Sequence, residues 1–280
     1  MINKYSKHEL VAIYLGLACL LVFLLAPFAE AFFVSLRRLE DVFQVPYSLL
    51  SENMGVEAYV TMWTSVPNLL RYILNSFFIA LSVTLLALLC IVPAAYAFAR
   101  FEFRMRDGFL TAFLAINMIG AAVLIIPLYR LMMATGLLNT YFAMIIPGAA
   151  FCVPTGILLL RTYFLRIPRD LEEAAYVDGA SRVLTMRRII LPLAMPGIVV
   201  VAITTFVTAY AQQFLFALTF NAIDDFAPLP VGLFKFFGQQ HVAWNELMAA
   251  SIVGTLPVLL VFFFLQRYLV AGLTSGAVKE

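Results

Sequence analysis

Charged residues are scarce in this chain. Asp, Glu, Lys and Arg make up 12% of its 280 residues, whereas about a quarter is usual in a soluble domain. Hydrophobic residues make up 64%. Polar side chains are too few to cover the surface of a folded chain of this length, so we expect a lipid bilayer to be its solvent. The net charge of +2 is too small to favour binding to nucleic acid.

The usual signatures of catalytic sites are missing as well. The three cysteines lie in apolar runs without metal or redox spacing, and there are two histidines. The chain has no phosphate-binding Gly-x4-Gly-Lys-Ser/Thr motif and no Gly-x-Ser-x-Gly motif. His8-Glu9 begins like a zinc-protease motif, but Ala12 occupies the position of the second histidine. We therefore predict that the chain is not an enzyme and binds no cofactor of its own.

Six apolar runs are long enough to cross a bilayer core of about 30 Å, which takes roughly twenty helical residues. They lie near Leu10–Phe33, Tyr72–Ala99, Phe109–Tyr129, Tyr141–Leu160, Gly197–Phe220 and Leu247–Tyr268. Each run is predicted to be helical, because unpaired backbone groups are not tolerated in hydrocarbon. The predicted fold class is an all-α membrane protein with six transmembrane helices.

The basic residues predict the orientation of these helices. With the N-terminus inside, thirteen of the eighteen Lys and Arg residues fall on the cytoplasmic side, which predicts that both termini are cytoplasmic. Lys4 and Lys7 precede the first run, as they would in a cleaved signal. The run is longer than the apolar part of a signal and lacks a clear small-residue cleavage site, so we expect it to be a retained helix.

One polar segment, residues 161–196, stands between the fourth and fifth apolar runs. It carries six of the eighteen basic residues and four of the sixteen acids. Pro168 suits the first turn of a helix, Gly179 can end that helix in the left-handed conformation, and Ser181 can cap the next one. We expect two short helices at an angle, with small residues on the exposed bend between them. The first helix would place Leu171, Ala174 and Ala175 on one face, and the second would place Val183, Met186 and Ile190 on one stripe. The alternative is an amphipathic hairpin on anionic headgroups.

The spacing within this segment is specific. Glu173-Ala174-Ala175, Gly179, Ile189 and Leu191-Pro192 stand in the order and at the intervals of the EAA loop of bacterial importer permeases driven by ATP. Further similarities run along almost the whole chain: Asn75-Ser76, Ala94–Phe101, Pro127–Tyr129, Gly136–Thr140 and Gly272–Lys279. The chain therefore resembles the carbohydrate branch of these permeases, the branch that includes maltose importers.

The resemblance implies a type I ATP-binding-cassette importer permease in the bacterial inner membrane. It implies one permease domain over residues 1–280, with a core over about 72–268 and a cytoplasmic coupling loop over 161–196. A second homologous permease would complete the pore. A dimer of ATPase subunits would bind ATP and Mg²⁺, and an extracytoplasmic binding protein would deliver the sugar.

The resemblance also implies roles for particular residues. Contact with the ATPase is expected from the loop, at Glu173, Ala174, Ala175, Asp178, Gly179, Ile189, Leu191 and Pro192. A second contact is expected from the C-terminal tail, at Gly276, Ala277, Val278 and Lys279. Family members end in glycine after that lysine, whereas this chain ends in Glu280.

Polar residues inside the apolar runs are candidates for the substrate path. They are Asn117, Gln212 and Gln213, with Tyr210 beside the glutamine pair. The alternative is that they make interhelical hydrogen bonds. Sugars, polyols and glycerol phosphates all remain open as substrates. A stand-alone secondary carrier is less favoured, because we find neither intramembrane ionisable residues in a relay nor inverted repeats. A membrane scaffold without transport would not explain the polar residues in the spans.

Overall fold

The computed structural model describes residues 6–43, 53–238 and 242–274, and its regular secondary structure is helical. Its α-helices are α1 (Lys7–Ser35), α2 (Glu57–Ser65), α3 (Leu69–Arg100), α4 (Arg106–Met118), α5 (Ile125–Ala134), α6 (Phe142–Arg166), α7 (Asp170–Val177), α8 (Arg182–Thr185), α9 (Leu191–Ala211), α10 (Gln213–Phe220), α11 (Leu229–Leu233) and α12 (Trp244–Thr274). Within these ranges the chain forms no β-strand, only an isolated bridge between Phe237 and Val242. The predicted all-α class is confirmed.

Five helices of the described ranges are long and apolar enough to cross a membrane. They are His8–Ser35, Leu69–Arg100, Phe142–Arg166, Arg182–Ala211 and Trp244–Gln266. These helices correspond to five of the six predicted runs, and the remaining run is the third.

The third apolar run is two helices, so the prediction of one continuous helix there is wrong. Helix α4 ends at Met118, and α5 begins at Ile125. Ile119 has an extended backbone with φ −85° and ψ 109°, and Gly120 follows it. Pro127 has no amide hydrogen to donate to a preceding turn. Inside a helix this would remove a hydrogen bond, but in the first turn of α5 the amides have no intrahelical acceptor, so no bond is lost. The sequence therefore restarts the helix after the break.

The fifth run is also interrupted. Helix α9 ends at Ala211, and α10 begins at Gln213; Gln212 between them has φ −96° and ψ 10°. The expected pair of short helices required a loop before the start of α9. No loop lies there in the part of the chain that the structure describes. Helix α8 continues through a π-helical turn, Met186–Ile190, directly into α9. The expectation that the second helix of the polar segment is short is wrong, because that helix and the fifth run are continuous.

The chain divides into two compact units, residues 1–70 with 232–255, and residues 71–231 with 256–280. In the first unit, the hydroxyls of Ser35 and Tyr59 are hydrogen-bonded at 2.8 Å. In the second unit, α6 is central and packs against α4, α9 and α10. The prediction of a single permease domain over residues 1–280 stays a prediction.

Glycines allow close packing in the second unit. A Cβ atom added to Gly197 of α9 would lie 2.8 Å from Cβ and 2.5 Å from Cγ of Tyr163 in α6. Those two atoms lie close to the backbone, so rotating the outer part of the tyrosine side chain cannot relieve the clash. The contact between α6 and α9 therefore requires glycine at position 197, as is common where membrane helices approach closely.

Gly197→Ala is expected to destabilise the protein by about 1–3 kcal/mol, because α6 and α9 must separate. Gly16→Ala in α1 is the control, since a Cβ there meets no atom within 4 Å. Both changes raise helix propensity by the same amount. The measurement is thermal unfolding of the purified protein in detergent. Equal unfolding temperatures for the two variants would contradict the packing argument.

Candidate functional site

The polar segment forms a helix with a defined end. Gly179 has φ +82°; its amide donates to the Tyr176 carbonyl at 3.0 Å, and the Ala180 amide donates to the Ala175 carbonyl at 2.9 Å. This pair of bonds is the Schellman ending that favours glycine. The Ser181 hydroxyl then accepts a bond from the Leu184 amide at 3.3 Å and caps α8. The predicted roles of Gly179 and Ser181 in the backbone are confirmed.

The two faces of α7 differ sharply in exposure. On α7 and its ending, the exposed residues of the predicted contact are Glu173, Ala174, Asp178 and Gly179, and they form one surface with Val177, which is 87% exposed. Ala175 of the same motif is buried at 6% exposure, whereas Leu171 is 42% exposed. The expected apolar face is therefore divided, and only Ala175 packs inward.

Glu172 also points inward, which the sequence analysis did not anticipate. Its Oε1 lies 2.6 Å from Nε of Arg100, an ion pair that is not aligned as a hydrogen bond. Its Oε2 accepts a bond from the Tyr96 hydroxyl at 2.9 Å. The Glu172 and Arg100 side chains are 9% and 5% exposed. The acid adjacent to the predicted docking acid is therefore buried against α3.

The second part of the motif lies on the continuous helix. Ile189 and Leu191 are half-buried and Pro192 is exposed, while Ile190 between them is fully buried. Arg182 of α8 stacks on Phe101, with Cζ 5.3 Å from the ring centre. The predicted tail contact, Gly276, Ala277, Val278 and Lys279, lies outside the described residues.

A cavity of about 250 Å³ opens among α4, α6, α9 and the segment after α4. Its lining is Ile116, Ile119, Gly120, Ala121, Phe151, Cys152, Thr155, Gly156, Leu159, Val201, Thr204, Thr205, Thr208 and Gln212. Four threonines and one glutamine thus line the same space. Among these described residues the lining carries no charged side chain.

The predicted path residues are distributed between this cavity and the packed interior. Gln212 lines the cavity. Gln213 is buried and exchanges two hydrogen bonds with Ser76: the Ser76 hydroxyl donates to Oε1 at 2.7 Å, and Nε2 donates to the Ser76 carbonyl at 2.9 Å. Tyr210 is buried beside Phe206. Asn117 belongs to α4, and its side chain is not among those described.

The start of α3 holds the segment that follows α10. Nδ2 of Asn75 donates to the carbonyls of Asp225 and Ala227, at 3.0 and 2.9 Å, and Oδ1 accepts a bond from the Tyr141 hydroxyl at 2.8 Å. Arg71 pairs with Asp225 at 2.6 Å. The Asn75-Ser76 pair noted in the sequence therefore helps to hold the segment after α10 against α3. This role could not be predicted from the sequence, because the two segments are about 150 residues apart.

Known proteins resemble the chain over most of its length. A sulfoquinovosyl glycerol transport system permease of Agrobacterium fabrum is 34% identical over 95% of this chain and 93% of its own. A trehalose/maltose transport system permease of Thermococcus litoralis is 34% identical over 96% of both chains. An inner membrane ABC transporter permease of Escherichia coli is 32% identical over 99% of both.

Solved structures share the fold. A chain of a bacterial ABC transporter that imports alginate has a TM-score of 0.71 at 24% identity, covering 95% of this chain and 99% of its own. A methionine ABC transporter has a TM-score of 0.57 at 19% identity, covering 79% of this chain and 99% of its own.

The family model described as "Binding-protein-dependent transport system inner membrane component" matches residues 87–275. That range contains α7, its glycine ending and the uncharged cavity. The chain therefore belongs to this family and is a multi-pass membrane permease subunit of an ABC importer, not an enzyme.

Proposed function

We propose that the chain forms half of the pore of a sugar importer in the bacterial inner membrane, and that a second homologous permease forms the other half. The observation that carries the choice of substrate is the cavity lined by Gln212 and four threonines. Hydroxyl and amide groups exchange hydrogen bonds with sugar hydroxyls as both donors and acceptors. Uncharged sugars and polyols fit this lining.

The same lining disfavours glycerol phosphate. A buried phosphate needs a cation or several charge-assisted hydrogen bonds, because an uncompensated charge is costly away from water. The described lining offers no Lys or Arg. Among the named relatives, one is a trehalose/maltose permease and another a sulfoquinovosyl glycerol permease. Among these kinds of cargo, the lining that this chain contributes to the cavity favours the uncharged substrates.

The sixth membrane crossing of the proposed fold is the pair α4 and α5. Their 13 and 10 residues rise about 20 and 15 Å, enough for a core of about 30 Å when the helices follow one another across it. Non-helical backbone at membrane depth is tolerated where it lines a cavity. Ile119, Gly120 and Ala121 of the break line the cavity. The break thus supports a crossing at the substrate path, within one permease domain.

ATP and Mg²⁺ belong to the ATPase partners in this proposal, and α7 is the docking element. Glu173 is exposed, lies in the first turn of α7 and lines an open cleft of about 360 Å³ together with Arg169 and Arg182. A side chain of the ATPase can enter this cleft and pair with Glu173. The tail residues Gly276 to Lys279 add a second proposed contact with the ATPase dimer, and a binding protein delivers the sugar from outside.

Cysteine labelling tests the orientation, which rests on the thirteen basic residues assigned to the cytoplasm. In a background without the native cysteines, an impermeant thiol reagent applied to intact cells should label Ala222→Cys and spare Ser181→Cys. Both positions are exposed or half-exposed, so access to the reagent is not limited by packing. The opposite labelling pattern would invert the proposed topology.

Gly179→Asp should abolish docking more completely than Glu173→Ala does. The aspartate resists the positive φ that ends α7 and adds a charge to the exposed bend. An exposed ion pair contributes only about 0–1 kcal/mol, so losing Glu173 weakens the contact without removing it. Sugar uptake and ATPase copurification are measured together. Normal values of both for Gly179→Asp would rule out this loop as the docking element.

Gln212→Leu should lower sugar uptake while leaving thermal stability and basal ATP hydrolysis unchanged, because its side chain lines the cavity. Gln213→Leu is the matched comparison. It removes two buried hydrogen bonds with Ser76 and should cost about 1–3 kcal/mol of stability. Uptake assays and thermal unfolding separate the two effects. Unchanged uptake for Gln212→Leu would remove this residue from the path.

A further inference from the structure

We infer that Glu172 anchors the docking helix to the membrane helices from within, so that a force applied to α7 moves α3 and α6 with it. The inference rests on the proposed docking of α7 on the ATPase and deepens it. Docking by itself only requires the exposed residues of α7. Transmission of movement requires a connection on the opposite face, and Glu172 makes it.

The connection reaches two membrane helices through one side chain. Arg100, in the last turn of α3, pairs with Glu172 through Nε at 2.6 Å. One of its terminal nitrogens donates to the carbonyl of Ile167, which caps the end of α6, at 2.8 Å. A cation is favourable at both places, since helix C-termini carry partial negative charge. Arg100 therefore links α7 to the cytoplasmic ends of α3 and α6.

Aromatic packing restricts the same cluster. The Tyr96 hydroxyl binds the second oxygen of Glu172. The Tyr96 ring meets the edge of Phe164 in α6, with centres 5.7 Å apart and planes at 80°, and it meets Phe101 at 6.0 Å and 89°. These are favourable edge-to-face arrangements. The carboxylate is thus held by groups that are themselves packed in place.

Burial makes this connection unlike the surface contact at Glu173. Separating a buried ion pair leaves two charges without water or partners, which is strongly unfavourable, whereas an exposed pair exchanges its partner for solvent at little cost. Separating α7 from α3 would require opening this buried pair. Separating α7 from the ATPase would require opening only an exposed pair, which costs less. The docking contact is the weaker of the two, and the anchor stays closed as the ATPase moves α7.

The two roles fall to adjacent residues. Successive helical residues point about 100° apart, so Glu172 and Glu173 leave one turn of α7 in different directions, although both border the cleft of about 360 Å³. The Glu172 residue is buried, and Glu173 is exposed. Two chemically identical side chains separated by one peptide unit thus make the inner and the outer contact, and they supply a matched pair of variants.

The test uses the complete importer complex in proteoliposomes, with binding protein and maltose or trehalose as probe sugars. Glu172→Gln should retain ATPase copurification and binding-protein-stimulated hydrolysis, while the sugar transported per ATP hydrolysed falls severalfold. Tyr96→Phe removes a single hydroxyl and should lower the same ratio to a smaller extent. Glu173→Gln should reduce copurification and leave the ratio unchanged in the complexes that assemble.

A wild-type ratio of sugar to ATP in assembled complexes of both Glu172→Gln and Tyr96→Phe would overturn the anchor. If Glu172→Gln fails to assemble, the ratio of sugar to ATP measured for Tyr96→Phe alone tests the anchor. A lowered ratio supports it, and a wild-type ratio overturns it. Failure of the docking proposal gives a different result, because Glu173→Gln and Gly179→Asp would then both retain full ATPase copurification. If neither probe sugar is transported by the wild-type complex, the ratio is measured with the sugar that stabilises the cognate binding protein.

Discussion

Hydrocarbon offers no partner to a backbone amide or carbonyl, and this constraint organises the molecule. It requires long uninterrupted helices where the chain faces lipid. Within the described residues, two of the predicted apolar runs are interrupted, after Met118 and at Gln212, and both interruptions border the uncharged cavity. Even at Gln212 the amide keeps a bond to the Thr208 carbonyl, at 3.0 Å. Within these apolar runs, the irregular backbone therefore lies at the surface that the proposed substrate would meet.

A chain dissolved in lipid gains little from burying one apolar side chain against another, so other contacts hold its helices together. Close approach at Gly197 increases dispersion contact between α6 and α9. The exchange between Ser76 and Gln213 adds hydrogen bonds, each worth about 0.6 kcal/mol on average in a membrane protein. Glu172 and Arg100 extend this pattern to the ends of α3 and α6 with a buried ion pair. Directional contacts thus lie at several depths of the second unit.

Features decided by local rules could be predicted from the sequence. The positive φ of Gly179, the cap at Ser181 and the five long helices follow from neighbouring residues alone. The interruptions could not be predicted, because the length of an apolar run does not report a single extended residue such as Ile119. The anchor was missed for another reason. Tyr96 and Glu172 are 76 residues apart in sequence, and only the packing of α3 against α7 brings them together.

The continuity of α8, the π-helical turn and α9 fixes a register across the protein. A single helix of 30 residues, Arg182–Ala211, runs from the bend at Gly179 to the cavity wall. Inserting or deleting one residue within it would rotate everything beyond that point by about 100°, turning Thr204, Thr205, Thr208 and Gln212 away from the cavity. Side chains of this helix that line the cavity are free to diverge among related permeases as their cargo changes. Its length is not, so the distance from bend to cavity should vary far less than the residues that line it.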